Sequence, residues 1–310
     1  MLEMRSTKTS FVIVLHNSED TIVECLRSLP ADAEIILVDN ESTDRGISLA
    51  LEARSDISVL RSVNRGFGAG CNSGAQASTG DVLIFLNPDA MVRPGATEIL
   101  SGRVREQPFS IIGPAILDPS GNVLHVVRHR TRLRFALLRS LNFARRIVGD
   151  RGVVVPSDSP IYVHGGPVDF LQGACLALSA ELFGRLQGFD EQFFLYYEEE
   201  DLCARASLLG APSLYEPSAE VVHVWGTSIS KIPGLSAFHL GRSQAIFIKK
   251  WWSAPKAYGA ILGVLAGASL SVAVFKVRLA LSPSDSTRRR LDSVTNLIKG
   301  LISGAKPHRR

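Results

Sequence analysis

The chain has 310 residues, of which 45% are hydrophobic and 21% are charged, and this balance excludes a protein that is disordered as a whole. Its length suits one large α/β domain with appendages or two modest domains. The formal net charge is +4, but seven arginines without an acid lie between residues 119 and 149, and nine cations against two acids lie between 276 and 310.

The N-terminal region and the cysteines predict a reduced protein of the cytoplasm. The first apolar run, Phe11–Leu15, is too short for a signal peptide and suits a β-strand. The cysteines form no C-x-x-C pair and lie far apart, which argues against a disulfide framework and against a zinc site. They are Cys25, Cys71, Cys175 and Cys203.

The first third of the chain alternates short apolar runs with helical patterns. Such alternation predicts βαβ units and a mostly parallel sheet. The predicted strands are Phe11–Leu15, Glu34–Asp39, Ile57–Arg61 and Val82–Leu86, and the predicted helices cover about 19–29, 43–54 and 67–77, with Ser18 opening the first and Thr43 as the N-cap of the second.

Polar and glycine residues follow each of these four strands. In parallel α/β sheets, ligands bind at the carboxyl ends of the strands, so these four clusters indicate a binding site along one edge. One such cluster would be an ordinary turn, whereas four on consecutive strands indicate a site. They are His16–Ser18, Asp39–Asp44, Asn64–Asn72 and Asn87–Asp89.

Five motifs in a fixed order carry a resemblance to a known family. They are V-D-N-x-S-T-D (38–44), N-x-G-F-G-x-G-x-N (64–72), S-T-G-D-x-x-x-F-L-N-P-D (78–89), G-F-D-E-x-F-F-L-Y-x-E-E-x-D-L (188–202) and H-x-x-G-x-S (223–228). The set resembles glycosyltransferase family 2, the inverting transferases of the GT-A fold, and within it the bacterial rhamnosyltransferase-like branch. The resemblance covers about residues 10 to 230 and implies a GT-A α/β core.

The resemblance implies a nucleotide-sugar donor, either a dTDP-sugar or a UDP-sugar. Asp39 resembles the residue that accepts a hydrogen bond from the base, and a carboxylate suits the imide N–H of uracil or thymine. Asn64 and Gly66 resemble the loop that covers the base, where glycine lets the backbone approach a flat ring. Asn17 joins the same substrate-binding set. The alternative for Asp39 is an Asx-turn closing the loop.

The N-P-D segment takes the place of the family's D-x-D metal motif. The resemblance implies Mg²⁺ or Mn²⁺ on Asp89 and His223, because a sugar-diphosphate leaving group needs its charge neutralised. Asn87 stands where the motif has its first acid, so we assign it to substrate binding. The alternatives are a simple turn at 87–89 and a structural histidine at 223.

An acidic run at 198–201 begins a predicted helix that continues to about Leu209. Glu199 matches the position of the family's catalytic base, with Glu in place of the usual Asp, and an inverting transfer needs a carboxylate to take the acceptor hydroxyl proton. Glu198 and Asp201 are assigned to substrate binding. The aromatic run Phe193–Tyr197 would form one wall of the cleft. The alternative is a helix start favoured by the macrodipole.

The stretch Ala257–Phe275 contains no charge and is long enough to span a bilayer as a helix. Spanning would carry a basic tail across the membrane, against the positive-inside tendency. We therefore expect a helix in the membrane plane, re-entrant, or docked on the protein, with basic flanks against anionic lipid. The flanks are Lys249, Lys250, Lys256, Lys276 and Arg278, and the arginine-rich segment 128–146 is a second candidate anchor.

These expectations combine into one assignment. Residues 1–240 form a catalytic domain, with a nucleotide-sugar half over about 1–115 and an acceptor half over about 116–240, and 241–310 form a helical, basic, membrane-associating region. We expect transfer of a sugar, with L-rhamnose from dTDP-rhamnose first, to a polyprenyl-diphosphate-linked or other cell-envelope glycan at the inner face of the cell membrane. The alternatives are a sugar nucleotidyltransferase and a non-catalytic nucleotide-sugar or glycan-binding scaffold. We expect no nucleic-acid partner, and a homo-oligomer remains open.

Overall fold

The computed structural model describes residues 8–132, 154–224 and 233–306. The contacts among these residues define two compact units, each described by itself below. The first contains residues 8–129, 155–191 and 199–224, and the second contains 130–132, 154, 192–198 and 233–306. Most of the predicted arginine-rich anchor at 128–146 lies outside the described residues.

The first unit is built on a sheet of ten strands with helices between them. Its strands are β1 Thr9–Leu15, β2 Glu34–Asn40, β3 Ile57–Ser62, β4 Val82–Leu86, β5 Ala90–Val92, β6 Ile111–Leu117, β7 Val123–Leu124, β9 Gly166–Val168, β11 Cys175–Ser179 and β12 Ser213–His223. The short strands β8 Val127–Arg128 and β10 Phe170–Leu171 form a separate antiparallel ribbon. Its helices are α1 Ile22–Arg27, α2 Gly46–Ala53, α3 Phe67–Ala77, α4 Ala96–Glu106, α5 Ile161–His164, α6 Ala180–Arg185 and α7 Glu198–Leu208.

The sheet has a parallel half and a mixed half. The strand order is β3-β2-β1-β4-β11-β6-β12-β5, and the first four strands are mutually parallel. Strand β11 returns antiparallel to β4, so its start lies beside the end of β4, with Cys175 paired to Leu86. As a result, the carboxyl ends of β1, β2 and β4 and the start of β11 share one edge.

Strand β1 shows why this sheet has helices on both faces. Its residues alternate between two buried clusters, with Phe11, Ile13 and Leu15 in one and Val12 and Val14 in the other. A strand buried on both faces reads as a continuous apolar run rather than an alternating one. Helices α1, α2 and α4 supply the first cluster, and α3, α6 and α7 supply the second. The predicted α/β fold is therefore confirmed.

The second unit is helical. It contains α8 Pro233–Trp251, α9 Ala254–Leu281 and α10 Asp285–Ala305, which confirms the predicted helical C-terminal region. Helices α8 and α10 approach so closely that a Cβ added at Gly241 would clash with the Leu297 carbonyl oxygen, and one at Gly300 would clash with that of Phe238. Glycine at these crossings permits backbone-to-backbone contact.

The aromatic segment 192–198 also belongs to the helical unit, where it packs on α8. The Tyr196 and Ser236 hydroxyls are 2.7 Å apart, and the Ser243 hydroxyl donates to the Leu195 carbonyl oxygen at 2.8 Å. Tyr196 and Tyr197 have φ angles of 69° and 71°, a left-handed conformation that tyrosine rarely adopts. The described contacts of this segment with α8 hold that conformation.

Candidate active site

Asn17 ties the ends of β1 and β2 together. Its Oδ1 accepts hydrogen bonds from the Thr43 amide at 2.8 Å and from the Thr43 hydroxyl at 3.2 Å. Its own amide donates to the Ser42 hydroxyl, and its φ of 52° turns the chain at the end of β1. The structure thus gives Asn17 a role in shaping the loop after β2, and its predicted contact with substrate stays a prediction.

The loop after β2 places Asp39 at the shared edge. One oxygen of this partly buried carboxylate accepts the amide of Ser42, three residues on, at 2.9 Å. The side chain therefore closes the loop through a bond one residue longer than the Asx-turn that the sequence left open. The neighbouring Asn40 is buried, and its Nδ2 donates to the Gly66 carbonyl oxygen at 3.1 Å. A turn and a hydrogen bond to a base use different lone pairs, so the turn orients Asp39 without consuming its capacity as an acceptor.

Asn64 and Gly66 lie at the start of α3, beside the loop after β2. The Asn64 Oδ1 accepts the Gly66 amide at 3.1 Å, and the Asn64 amide donates to Glu41 Oε2 at 3.2 Å. Gly66 has a φ of 108°, which excludes most side chains at this position. The predicted base-binding residues Asp39, Asn64 and Gly66 are thus linked through Asn40 and Glu41.

The predicted metal ligands lie together. Asp89 precedes β5 and His223 ends β12, and these strands pair so that Asp89 Oδ1 is 3.0 Å from His223 Nε2. Both side chains are buried, and Asn87 Nδ2 is 3.4 Å from the same His223 nitrogen. The rest of the H-x-x-G-x-S motif lies outside the described residues.

The donor set at this point fits a divalent ion bound together with its substrate. A carboxylate oxygen and an imidazole nitrogen converge, which are ligand types that Mg²⁺ and Mn²⁺ accept. The described chain contains no cluster of three or more histidine, cysteine or acidic side chains suited to metal binding. Asp89 and His223 therefore fit a site in which phosphate oxygens of the donor complete the coordination, as is usual for Mg²⁺.

Three of the four acids at the start of α7 are buried. Glu198, Glu200 and Asp201 are at most 4% exposed, whereas Glu199 is partly exposed. A general base must reach the acceptor hydroxyl, so exposure favours Glu199 among the four. The alternative, a helix start favoured by the macrodipole, still applies to the three buried acids.

Gly173, at the turn before β11, shapes the surroundings of Glu199. A Cβ at position 173 would overlap the Glu199 carboxylate, so only glycine allows this approach, and the Gly173 amide donates a hydrogen bond to that carboxylate. The next residue, Ala174, accepts the Asn87 amide through its carbonyl oxygen at 3.0 Å. Glu199 therefore lies beside the segment that carries Asp89.

Arg128, like Gly173, lies near Glu199. Its guanidinium donates to Gln172 Oε1 from Nε at 3.0 Å and from Nη2 at 2.8 Å, within the β8–β10 ribbon. Burial raises the pKa of Glu199, and the hydrogen bonds from the Glu199 and Gly173 amides and the charge of Arg128 oppose that rise. A raised carboxyl pKa makes Glu199 a stronger base than an exposed glutamate.

Asp201 forms a buried ion pair rather than facing the cleft. It is fully buried and accepts a hydrogen bond from Arg205 Nε at 2.7 Å, one helical turn later. Arg205 also donates to the Leu186 carbonyl oxygen, which fastens α7 to the turn after α6. This arrangement favours a structural role for Asp201 over the predicted contact with substrate.

Comparison with known proteins identifies the family that the chain resembles. The model of glycosyl transferase family 2 matches residues 10–160, a range that contains Asp39 and Asp89. The chain is similar to members of glycosyltransferase family 2. It is a glycosyltransferase.

Two relatives of this glycosyltransferase are named as rhamnosyltransferases. The N-acetylglucosaminyl-diphospho-decaprenol L-rhamnosyltransferase of Mycobacterium tuberculosis is 29% identical over 245 residues, covering 71% of this chain and 77% of the relative. Rhamnosyltransferase WbbL of Escherichia coli is 26% identical, covering 68% of this chain and 81% of the relative.

The solved structures confirm the GT-A fold. The mannosyltransferase PcManGT from Pyrobaculum calidifontis, solved in complex with GDP-Man and Mn²⁺, matches with a TM-score of 0.54 at 14% identity. The match covers 96% of this chain and 86% of that one. At this identity the likeness is one of fold alone.

Two contacts of Glu199 had no signal in the sequence. Gly173 is a lone glycine in no glycine-rich motif, and its importance comes from a close approach to a residue far along the chain. Arg128 was counted with the arginine-rich segment, whereas its side chain bonds Gln172 in the ribbon beside Glu199. Their roles emerge only from the tertiary structure.

Proposed function

We propose that this glycosyltransferase moves L-rhamnose from dTDP-rhamnose, with inversion, onto a polyprenyl-diphosphate-linked or other cell-envelope glycan. The observation that carries the proposal is the position of Glu199, partly exposed, with its carboxylate held by Gly173 next to the Asn87–Asp89 segment. A carboxylate base beside the residues suited to hold a donor diphosphate is what an inverting displacement requires.

The chain's own residues supply three parts of the mechanism. Glu199 takes the proton of the acceptor hydroxyl as that oxygen attacks the anomeric carbon and the nucleoside diphosphate leaves. Asp39 and the loop at Asn64–Gly66 orient the base of the donor. Asp89 and His223, with Asn87 beside them, would hold a Mg²⁺ or Mn²⁺ ion, which neutralises charge on the diphosphate when bound.

The relatives support the choice of sugar and acceptor. Two curated relatives are named as rhamnosyltransferases, and the name of the mycobacterial one specifies N-acetylglucosaminyl-diphospho-decaprenol. An acceptor of that class is lipid-linked, so we place the enzyme at the inner face of the cell membrane. A carboxylate at the position of Asp39 suits a thymidine or uridine donor because both bases carry an imide N–H.

One experiment tests the sugar and the acceptor together. The purified full chain, with Mg²⁺ or Mn²⁺, is incubated with dTDP-rhamnose, UDP-glucose, UDP-N-acetylglucosamine or GDP-mannose and a polyprenyl-diphosphate-linked N-acetylglucosamine. Mass spectrometry identifies the product, and NMR gives the anomeric configuration. We expect a deoxyhexose addition from dTDP-rhamnose with inverted configuration. A larger hexose product from another donor would overturn the sugar, and donor binding without any product would favour the non-catalytic scaffold.

A further inference from the structure

Helix α9 buries one face and exposes the other between Ala257 and Phe275. The buried face runs from Ala257 to Phe275 at helical spacing, and its N-terminal half packs with α8 and α10. The opposite side carries exposed apolar side chains that recur every three to eight residues. This α9 outer face consists of Tyr258, Leu262, Leu270, Val274, Val277 and Leu281, which are 43% to 81% exposed.

The α9 outer face is unusual for a surface that meets water. A surface helix of a soluble domain normally shows charged or polar residues on its outer side, but no residue from Ala257 to Phe275 is charged. The face extends over roughly 35 Å at the helical rise. Single exposed leucines need no explanation, whereas a continuous apolar stripe of this length marks an interaction surface.

A basic segment continues directly from this face. Residues 276–290, which we call the basic tip, join the end of α9 to the start of α10 and contain five cations against the single acid Asp285. All five cations are exposed: Lys276, Arg278, Arg288, Arg289 and Arg290. Apolar side chains and cations presented together are complementary to an anionic lipid surface, in which acyl chains lie beneath negative headgroups.

We propose that the α9 outer face and the basic tip bind an anionic lipid bilayer, with α9 lying in the plane of the interface. The proposal deepens the proposed function by naming the surface that meets the membrane. Its evidence is the set of contacts and exposed side chains within the helical unit, and it does not depend on the identity of the acceptor glycan. Of the expected basic flanks, Lys249 takes no part, because its Nζ donates to the carbonyl oxygens of Ala305 and Lys306 at the end of α10.

The packing of α9 on α10 argues against a spanning helix. By length and composition α9 would qualify as a membrane span. However, Ala257, Ile261 and Val264 share a buried cluster with Leu301 of α10. Helix α10 carries Arg288–Arg290, Asp292 and Lys299, which the hydrocarbon would not accept. A membrane-spanning α9 would therefore have to separate from α10, whereas an α9 that lies in the plane of the interface keeps its packing against α10.

The test of the apolar face uses the full chain and vesicle flotation. Vesicles of phosphatidylcholine, alone or with phosphatidylglycerol, are mixed with wild type and with a Leu262→Gln/Leu270→Gln variant. We expect the variant to bind anionic vesicles at least about tenfold more weakly, because two buried contacts with acyl chains are lost. The matched control is Leu208→Gln/Leu209→Gln, which changes two equally exposed leucines of the catalytic unit and should bind as wild type does.

The test of the basic tip uses Arg288→Gln/Arg289→Gln/Arg290→Gln. Each cation near an anionic surface contributes to binding, so we expect this variant to bind anionic vesicles on the order of 10²-fold more weakly than wild type. Raising the salt concentration should also weaken the binding of wild type, by a smaller factor. The control replaces the exposed Arg27, Arg61 and Arg185 by glutamine and should leave binding unchanged.

Three results would overturn the proposal. Equal binding of wild type to neutral and anionic vesicles would remove the electrostatic part, and retention in membranes after alkaline carbonate would show a spanning helix. Loss of a dimer in the Leu262→Gln/Leu270→Gln variant, with vesicle binding unchanged, would assign the face to a second copy of the chain. Donor binding measured by calorimetry separates this proposal from the proposed function, since none of these variants touches the donor site.

Discussion

Gly173 holds the Glu199 carboxylate by contact and by a hydrogen bond at once: its missing side chain leaves room for the carboxylate, and its amide donates to it. A group that is positioned by the backbone has fewer orientations to lose when the acceptor arrives. The first prediction follows from this contact.

We expect Gly173→Ala to reduce turnover by at least about tenfold, because the new methyl group displaces Glu199 from its position. Donor affinity should change little, since the three atoms nearest to the new methyl group all belong to Glu199. Steady-state kinetics and donor calorimetry measure the two effects. The control is Gly102→Ala in α4, where a Cβ meets open space, and it should keep full turnover. Equal turnover of the two variants would contradict the positioning role.

Glu199→Gln should lower turnover by roughly 10²–10⁴-fold, because glutamine cannot take the acceptor proton. Burial raises the pKa of Glu199, so the charged form is disfavoured in the folded protein, and glutamine should keep or raise the melting temperature. Loss of turnover together with undiminished stability separates a base from a structural residue.

The neighbouring acids supply the comparison for Glu199. Glu200→Gln changes a buried carboxylate on the same helix and should cost stability more than turnover per folded molecule. If Glu200→Gln is inactive while folded and Glu199→Gln turns over normally, the base has been assigned to the wrong residue.

Arg128→Gln should shift the pH dependence of turnover. The base acts in its deprotonated form, so activity is present above the raised pKa of Glu199 and is lost as the pH falls through it. The charge of Arg128 lowers that pKa. Its removal raises the pKa further, and the acid limb of the pH–kcat profile should therefore move to higher pH. A limb that stays in place would show that Arg128 does not act on Glu199.

Asp89→Ala should abolish metal-dependent donor binding measured by calorimetry with Mg²⁺ or Mn²⁺. The prediction rests on the 3.0 Å approach of Asp89 Oδ1 to His223 Nε2. His223→Ala should weaken the same binding. Asp118→Ala, which removes a carboxylate in an exposed turn of the same unit, is the control. Undiminished metal-dependent affinity in a folded Asp89→Ala protein would remove Asp89 from the site.

Glu34 predicts how stability depends on pH. Burial raises its pKa, but hydrogen bonds from Ser10, Thr79 and Lys8 outweigh this and hold the pKa at about 2. A lowered pKa contributes stability that is full above the unfolded value near 4.5 and is lost as the pH falls toward 2. Glu34→Gln should therefore lower the free energy of unfolding by up to about 3 kcal/mol at neutral pH and by much less in acid.

Urea unfolding at neutral and acidic pH measures the effect of Glu34. Glu24→Gln, which breaks an exposed pair with Arg27, is the control and should cost less than about 1 kcal/mol. A pH-independent loss in Glu34→Gln would attribute the effect to packing.

The parallel half of the sheet was predictable because its signals are local. The observed strands β1 to β4 fall within one or two residues of the predicted ones. The prediction of Thr43 as the N-cap of the second helix was wrong, since α2 begins at Gly46. The Asp44 side chain accepts the amides of Gly46 and Glu19, and the helix begins only after Asp44. The bond to Glu19 joins residues that are far apart in the sequence, so it has no local signature.

The mixed half was less accessible to sequence reasoning. Strands β8 and β10 have two residues each, too few to show a period. The ribbon that they form places Arg128 beside Gln172, and neither position carries a motif. Residues of the site that depend on ordered motifs could be predicted, whereas those that depend on tertiary approach could not.

The backbone contact at Gly241 and Gly300 gives the α8–α10 pair an attraction that depends little on its solvent. Most helix pairs in soluble proteins are held by the release of water from apolar side chains, a force that vanishes in detergent or lipid. Backbones that touch attract by dispersion, which acts in any medium. We therefore expect the helical unit to keep its α8–α10 contact when the protein is extracted in detergent.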